Sequence, residues 1–131
     1  MLAAGMRPDD YEAVIPMSPA TSILEGARRG NLLGMEFDPD HIQDVYDYGL
    51  HQLRGDYLRC AQMLYVEDAI RKYTKPVLLI HGDADETVPL ECSIEADRQY
   101  ENSRLVILPG DKHCYDYRLD DVCEAIKSFL R

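Results

Sequence analysis

The sequence PVLLIHGDADETVP occupies residues 76–89, and its first part is apolar whereas its second part is polar. Residues 76–80 form a short continuous apolar run, which is typical of a strand buried on both faces of a parallel sheet. Proline is compatible with the first position because the start of a strand can lack a hydrogen-bond donor. Residues 81–89 are polar and predict a loop, in which Asp85 follows the strand.

The same order of elements recurs toward the end of the chain. Residues 90–100 have apolar side chains at helical spacing, and residues 104–108 (RLVIL) predict a second buried strand. The loop after this strand carries His113. Asp121, with a glutamate three residues later, predicts a capping box at the start of a last helix. One stripe of that helix has the spacing i, i+3, i+4, i+7 and i+8: Val122, Ala125, Ile126, Phe129 and Leu130.

This alternation of strands and helices predicts an α/β fold with right-handed parallel crossovers. Residues 13–17 (AVIPM) predict a further strand, which makes about three parallel strands with flanking helices. The predicted organisation is a helix and strand of the core at residues 1–19, an inserted helical lid at 20–72, and the carboxy-terminal core at 73–131. The lid prediction of two or three helices rests on apolar residues at helical spacing: Ile42, Val45, Tyr46, Tyr57, Leu58, Ala61 and Leu64.

The charge balance excludes several classes of partner. The chain has 14 basic and 24 acidic residues, a net charge of −10. Nucleic acids and anionic membranes both require clustered Lys and Arg, so we expect neither as a partner. The apolar runs are far shorter than the ~20 residues of a membrane span, and the amino terminus lacks the basic start of a signal peptide. Four cysteines without a C-x-x-C pair indicate reduced thiols. We therefore expect a cytoplasmic protein without a metal or cofactor.

The residues that most clearly indicate a chemical role are Asp85 and His113. Each lies in a loop that leaves a predicted buried strand, and parallel strands end at a common edge where α/β proteins place their sites. The two side chains can therefore meet although 28 residues separate them. A carboxylate that accepts the Nδ1 proton of histidine fixes its tautomer and leaves Nε2 free as a base. Gly82 and Gly110 are expected to allow the tight turns that present both groups.

The other polar residues of the first loop have simpler interpretations. His81 precedes the acid loop and is predicted to be structural. Asp83 and Glu86 are predicted to be solvated, because the loop lacks the glycine and the distal glutamate of a calcium-binding loop.

Residues 76–89, residues 104–115 (RLVILPGDKHCY) and the terminal amphipathic helix together resemble the carboxy-terminal third of an α/β-hydrolase. In that family a G-x-x-D-x-x-V-P loop carries the acid of a Ser-His-Asp triad, and a G-x-x-H loop carries the histidine. The resemblance therefore implies these catalytic roles for Asp85 and His113.

The middle of the chain resembles one branch of that family, the cinnamoyl and feruloyl esterase-like hydrolases. The similar segments are residues 37–44 (FDPDHIQD) and residues 57–68 (YLRCAQMLYVED), which correspond to a small lid. This resemblance implies that Gln62 and Tyr65 bind substrate and shape a pocket for an aromatic acyl group.

The nucleophile of such a triad is missing from the sequence. The family places its serine in a G-x-S-x-G turn, and no serine or cysteine here follows that pattern. Ser18 is the nearest approach, but Pro19 follows it and has no N–H to donate to an oxyanion hole. Residues 1–6 resemble the helix that follows the nucleophile, so we expect the serine upstream and the chain alone to be inactive.

Three interpretations follow. The first is part of a serine carboxylic-ester hydrolase, which binds a small-molecule ester when an amino-terminal half completes it. The second is a non-catalytic binding or regulatory module derived from the hydrolase fold. The third is a flavodoxin-like domain, for which the sequence offers about three of the required five strands.

Overall fold

The computed structural model describes residues 1–131. The helices are α1 Leu2–Met6, α2 Ser22–Arg29, α3 Gly55–Met63, α4 Val66–Lys72, α5 Glu91–Gln99 and α6 Leu119–Phe129. The strands are β1 Asn31–Leu32, β2 Met35–Glu36, β3 Val45–Tyr48, β4 His51–Arg54, β5 Val77–Gly82 and β6 Ser103–Leu108. None of the helices has the length and apolar character needed to span a membrane.

The chain forms two compact units, Met1–Ala20 with Val66–Arg131, and Thr21–Tyr65. The predicted insertion ended at residue 72, whereas α4 belongs to the first unit. This difference arises from the close packing of α4 on α1. A Cβ atom on Gly5 would lie 2.3 Å from the Cα atom of Ala69, so the backbones of α1 and α4 are in direct contact. Neither helix has a long apolar stripe in its sequence that would predict this contact.

Strand β5 is the centre of the first unit, and all six of its residues are buried. It pairs in parallel with β6, from Val77 opposite Ser103 to Gly82 opposite Leu108. The prediction of two parallel strands is confirmed. Strand β6 was predicted to be buried as well, but only Leu108 is fully buried in it, because β5 is its single neighbour.

The third predicted strand pairs with the opposite side of β5 without forming a regular ladder. Val14 and Met17 make parallel bridges to β5. Within this segment Pro16 accepts a hydrogen bond from the Ile80 N–H at 3.1 Å but has no N–H of its own to donate. The missing donor interrupts the ladder, which is why the segment is extended but is not a continuous strand.

Helix α6 packs its predicted stripe on the core of the first unit. Val122 is buried, and the stripe continues along the core through Ala125, Ile126 and Phe129. Leu130 is exposed, because the helix ends at Phe129. The predicted capping box is wrong: the helix begins at Leu119, and the carboxylate of Asp121 pairs with Arg118 instead of capping an amide.

The second unit contains two helices, α2 and α3, which agrees with the predicted two or three, but part of the predicted helical pattern lies in strands. Two antiparallel hairpins, β1–β2 and β3–β4, join α2 to α3. Val45 and Tyr46, predicted to be helical, lie in β3 and pair with Arg54 and Leu53. The hairpin turns at Gly49, whose positive φ of 60° is accessible to glycine at little cost.

Tyr100, which follows α5, has a buried hydroxyl without a hydrogen-bond partner. Burial raises the pKa of Tyr100 to about 12, and the nearby Tyr73 contributes in the same direction. A buried unpaired hydroxyl costs about 1–3 kcal/mol, so Tyr100→Phe is expected to raise the free energy of unfolding by about 1 kcal/mol. Urea denaturation measures the change. Tyr73→Phe is the matched control: its hydroxyl donates to the Tyr11 carbonyl at 3.3 Å, so no gain is expected.

Candidate active site

The acid loop after β5 holds Asp85 in a fixed orientation. Its Oδ1 atom accepts hydrogen bonds from the backbone N–H groups of Thr87 at 2.8 Å and Val88 at 2.9 Å. An aspartate that accepts amides two and three residues ahead forms a local turn with its own backbone. The side chain is 0% exposed. The turn therefore occupies one carboxylate oxygen and leaves Oδ2 for another partner.

That partner is His113, which lies in the loop after β6. Its Nδ1 atom is 2.8 Å from Oδ2 of Asp85, and Nε2 makes no hydrogen bond within the chain. The imidazole is 39% exposed, whereas the carboxylate is fully buried. The structure thus brings together the two side chains that the sequence predicted to meet. Nδ1 donates to the carboxylate, and Nε2 is available to accept a proton.

The carboxylate of Asp85 is strongly stabilised in its charged form. Burial by itself raises the pKa of Asp85, but hydrogen bonds from the Val88 amide, His113 and the Thr87 amide outweigh it. The result is a pKa of about 2, below the ordinary value of 3.8.

This depressed pKa predicts a pH-dependent contribution to stability. The contribution is complete above the ordinary pKa, about pH 4, and is lost as the pH falls toward about 2. The difference in unfolding free energy between the wild type and Asp85→Asn is expected to shrink over this range by about 1–2 kcal/mol. Urea denaturation at several pH values measures it. Glu86→Gln, which changes an exposed acid of the same loop, should show no such trend.

The acid loop and the histidine loop are hydrogen-bonded to each other. Oδ1 of Asp83 accepts from the Gly110 N–H at 2.6 Å, and the Ala84 N–H donates to the Asp111 carbonyl at 3.0 Å. Asp83 is exposed, as predicted, but it is not merely solvated. Its carboxylate joins the two loops close to the Asp85 and His113 side chains.

Gly82 and Gly110 serve these loops in different ways. Gly110 has a φ of 72° and forms the predicted turn. Gly82 was also expected to form a turn, but it ends β5 and has no positive φ. Its role is a close approach: a Cβ atom there would lie 2.3 Å from the carbonyl oxygen of Asp111. The absent side chain lets the two loops touch.

Asp111 is a buried acid that the sequence did not single out. Its carboxylate accepts hydrogen bonds from the backbone N–H groups of Lys112 at 2.9 Å, Tyr117 at 3.2 Å and Arg118 at 3.1 Å. These bonds hold the chain on both sides of His113 and at the start of α6. An Asp directly after a turn glycine predicts a local turn. The sequence does not, however, predict the bonds that Asp111 accepts from residues 117 and 118.

His81 has the structural role that was predicted. It is fully buried, its Nδ1 atom lies 2.6 Å from the hydroxyl of Ser93 in α5, and Nε2 lies 3.0 Å from the Val88 carbonyl. The Asp85 carboxylate is also 3.3 Å from Nε2. Because both neighbours of Nε2 are acceptors, we assign the proton to Nε2. His81 therefore links β5, α5 and the acid loop.

Ser18 is buried. Its hydroxyl lies 2.8 Å from the hydroxyl of Tyr115 and makes no hydrogen bond with His113. A serine nucleophile has to reach Nε2 of its histidine. The placement of Ser18 agrees with the prediction that it is not the nucleophile.

Gln62 and Tyr65, predicted to bind substrate, both belong to the second unit. The amide nitrogen of Gln62 donates to the carbonyl groups of Ala27 at 3.2 Å and Pro39 at 2.8 Å. Tyr65 is half exposed, and the Arg28 guanidinium lies 4.3 Å from its ring centre. These contacts hold the unit together, and a role of the two residues in substrate binding stays a prediction.

No cluster of three or more His, Cys, Asp or Glu side chains has the geometry of a metal site, and all four cysteines are free thiols. The contact between Nδ1 of His113 and Oδ2 of Asp85 can support proton transfer at Nε2 of His113, oriented and stabilised by Asp85.

Comparison with known proteins identifies two informative relatives, although no family model matches the chain. Est1E from Butyrivibrio proteoclasticus, solved with ferulic acid bound, is 52% identical and superposes with a TM-score of 0.94. The match covers 98% of this chain and 52% of the Est1E chain. Over 104 residues the chain is 35% identical to a Synechocystis sp. protein named as a non-heme chloroperoxidase, covering 76% of this chain and 38% of that protein.

A more distant structure shares the fold. The alpha/beta hydrolase domain-containing protein 10 from mouse superposes with a TM-score of 0.65 at 15% identity, over 96% of this chain and 54% of the mouse chain. The chain thus spans about half the length of the solved structures it matches. The predicted resemblance to the carboxy-terminal portion of an α/β-hydrolase, near the feruloyl esterase-like branch, is confirmed. The chain belongs to the α/β-hydrolases.

Proposed function

We propose that this chain supplies the acid and the base of a serine carboxylic-ester hydrolase. Asp85 and His113 would complete a triad whose serine lies outside residues 1–131. The observation that carries the proposal is the 2.8 Å contact between Nδ1 of His113 and Oδ2 of Asp85, with Nε2 left free.

The mechanism follows from this geometry. Nε2 of His113 removes the proton of the serine hydroxyl as its oxygen attacks the ester carbonyl, and the same proton is then given to the departing alcohol. The histidine next removes a proton from water as the water oxygen attacks the acyl-serine ester, and it returns that proton to the serine oxygen as the bond to the acyl group breaks and the acid is released. Asp85 stays ionised throughout and stabilises the imidazolium that forms in each half of the reaction.

The proposed substrate is a small ester of an aromatic acid. Est1E binds ferulic acid in its solved structure and shares 52% of its residues with this chain over the matched region. We propose that Gln62 and Tyr65 contribute to the acyl pocket. The net charge of −10 favours a small-molecule substrate over nucleic acid or an anionic membrane.

The chain by itself is proposed to be inactive toward esters. An acid and a histidine without a positioned nucleophile retain little power for acyl transfer. A fluorophosphonate probe should therefore leave the 131-residue chain unlabelled, and methyl ferulate should be hydrolysed no faster than in buffer. Stoichiometric labelling of Ser18 would contradict this proposal.

The decisive experiment restores the nucleophile. The part of Est1E that this chain does not match is joined to residues 1–131, and the chimera is assayed with methyl ferulate and with the fluorophosphonate probe. We expect hydrolysis and labelling of a serine in the Est1E part. Near-UV circular dichroism tests whether the chimera is folded. A folded chimera that the probe does not label and that does not hydrolyse methyl ferulate would refute the proposal and favour a non-catalytic module.

A further inference from the structure

The loop between β6 and α6 contains one buried carboxylate, that of Asp111, whose residue is 0% exposed. Its Oδ1 atom accepts hydrogen bonds from the backbone N–H groups of Lys112 at 2.9 Å and Tyr117 at 3.2 Å. Its Oδ2 atom accepts from the N–H of Arg118 at 3.1 Å. Both oxygens therefore have partners, and the cost of burying the group is offset by bonds to the loop itself.

The three amides lie on both sides of His113. Lys112 directly precedes the histidine, and Arg118 directly precedes the first residue of α6. Val122 of that helix is buried in a core that includes residues of β5. The carboxylate of Asp111 therefore ties the backbone around the histidine to a helix that is itself packed on the sheet.

The backbone of Asp111 is bound to the acid loop as well. Its carbonyl accepts a hydrogen bond at 3.0 Å from the N–H of Ala84, the residue directly before Asp85. The side chain of Asp111 meanwhile holds Lys112, the residue directly before His113. One residue thus connects the neighbours of both members of the pair, so a displacement of Asp111 changes the distance between them.

The imidazole of His113 depends on this support because it has little of its own. It is 39% exposed, and its hydrogen bond to Asp85 joins two side chains at a single pair of atoms. We propose that Asp111 is a positioning residue, whose carboxylate and carbonyl hold the histidine loop so that Nδ1 of His113 stays within hydrogen-bond distance of Oδ2 of Asp85. The catalytic consequence of this role rests on the proposed function, whereas the contacts do not.

The test measures the carboxyl titration of Asp85 by carbon NMR in the 131-residue chain. Burial raises the pKa of Asp85, and hydrogen bonds from the Val88 amide and His113 lower it. Asp111→Ala releases the histidine loop, so the pKa of Asp85 should rise by at least about half a unit. The downfield proton signal of the Nδ1–H···Oδ2 bond should also move upfield or broaden. Removal of the Asp111 charge would by itself lower the pKa of Asp85, so the sign separates positioning from a purely electrostatic effect.

Two controls separate positioning from a general loss of stability. Asp116→Asn changes an exposed acid of the same loop. Ser103→Ala removes a hydroxyl that donates to Asp97 of α5, away from the histidine loop, and should lower the urea midpoint of unfolding. Neither variant should change the Asp85 titration. A rise of the same size in Ser103→Ala as in Asp111→Ala would assign the effect to lost stability and overturn the proposal.

Asp111→Asn keeps the test decisive if Asp111→Ala does not fold. Asparagine retains one oxygen for the Lys112 and Tyr117 amides, but its NH₂ group cannot accept from Arg118, so the same changes should be smaller. A pKa of Asp85 that is unchanged or lowered in the folded Asp111→Ala variant, or in Asp111→Asn where only that variant folds, would overturn the proposal.

The chimera tests the catalytic consequence. Asp111→Ala should lower kcat about 10-fold with little change in KM, because the histidine is misplaced whereas the substrate contacts are intact. An unchanged kcat in an active chimera would also overturn the proposal. A chimera that is inactive before any substitution would count against the proposed function alone, because the titration of the separate chain still decides the role of Asp111.

Discussion

Replacing His113 by glutamine in the Est1E chimera is expected to lower kcat/KM for methyl ferulate by about 10⁵-fold, because a triad without its base loses nearly all of its acyl transfer. Glutamine can fill much of the space and can still donate to Oδ2 of Asp85, but it cannot accept the proton of the serine hydroxyl. Asp85→Asn should cost less, about 10⁴-fold, because the imidazole remains but loses the partner that fixes its tautomer.

Two controls separate this loss from a general effect on folding. His51→Gln changes an exposed histidine of the β3–β4 hairpin, and Glu86→Gln changes an exposed acid next to Asp85. Both should keep at least about half of the activity, since exposed substitutions usually change stability by less than about 0.5 kcal/mol. Retention of more than about a hundredth of the wild-type activity in a homogeneous His113→Gln chimera would rule out His113 as the base.

The second large effect is expected for Gly82→Ala in the separate chain. The new methyl group would lie 2.3 Å from the Asp111 carbonyl oxygen and 2.6 Å from its carbon, and these are backbone atoms that cannot turn aside. Either β5 or the histidine loop has to move. We expect the free energy of unfolding to fall by about 3 kcal/mol or more, at the upper end of what overpacking costs.

Gly110→Ala is the matched control for this substitution. Gly110 has a positive φ of 72° but open space around the position of a Cβ atom. The cost there is conformational only, about 1 kcal/mol. Urea denaturation of both variants measures the difference. Equal destabilisation of the two variants would show that the close approach of the loops at Gly82 is not maintained in solution.

The elements that were predicted correctly are those with a strong local pattern. The continuous apolar run of β5 and the apolar helical stripe of α6 each predict burial from a few neighbouring residues. The meeting of Asp85 and His113 was also predictable, because it follows from two strand–loop units whose strands are parallel.

The elements that were missed depend on backbone contacts or on distant residues. The β3–β4 hairpin has apolar residues at a spacing that also fits a helix, and only Gly49 marks the turn. Pro16 interrupts the third strand through a missing donor, which an apolar pattern does not reveal. The backbone N–H of Arg118, at the start of α6, donates to Asp111 in the preceding loop. The acids of the helix itself therefore led to a wrong prediction of a capping box.

The division of the first unit into two chain segments has a consequence for how the chain can vary in evolution. Residues 21–65 form a connection whose ends, at Ala20 and Val66, both belong to the first unit. Closing a flexible connection costs entropy that grows only with the logarithm of its length, about 0.6 kcal/mol for each doubling. Lineages can therefore lengthen, shorten or exchange this segment with little thermodynamic penalty to the sheet that carries Asp85 and His113. Under the proposed function, in which Gln62 and Tyr65 contribute to the acyl pocket, the residues that carry the chemistry and those that contact the substrate would vary independently.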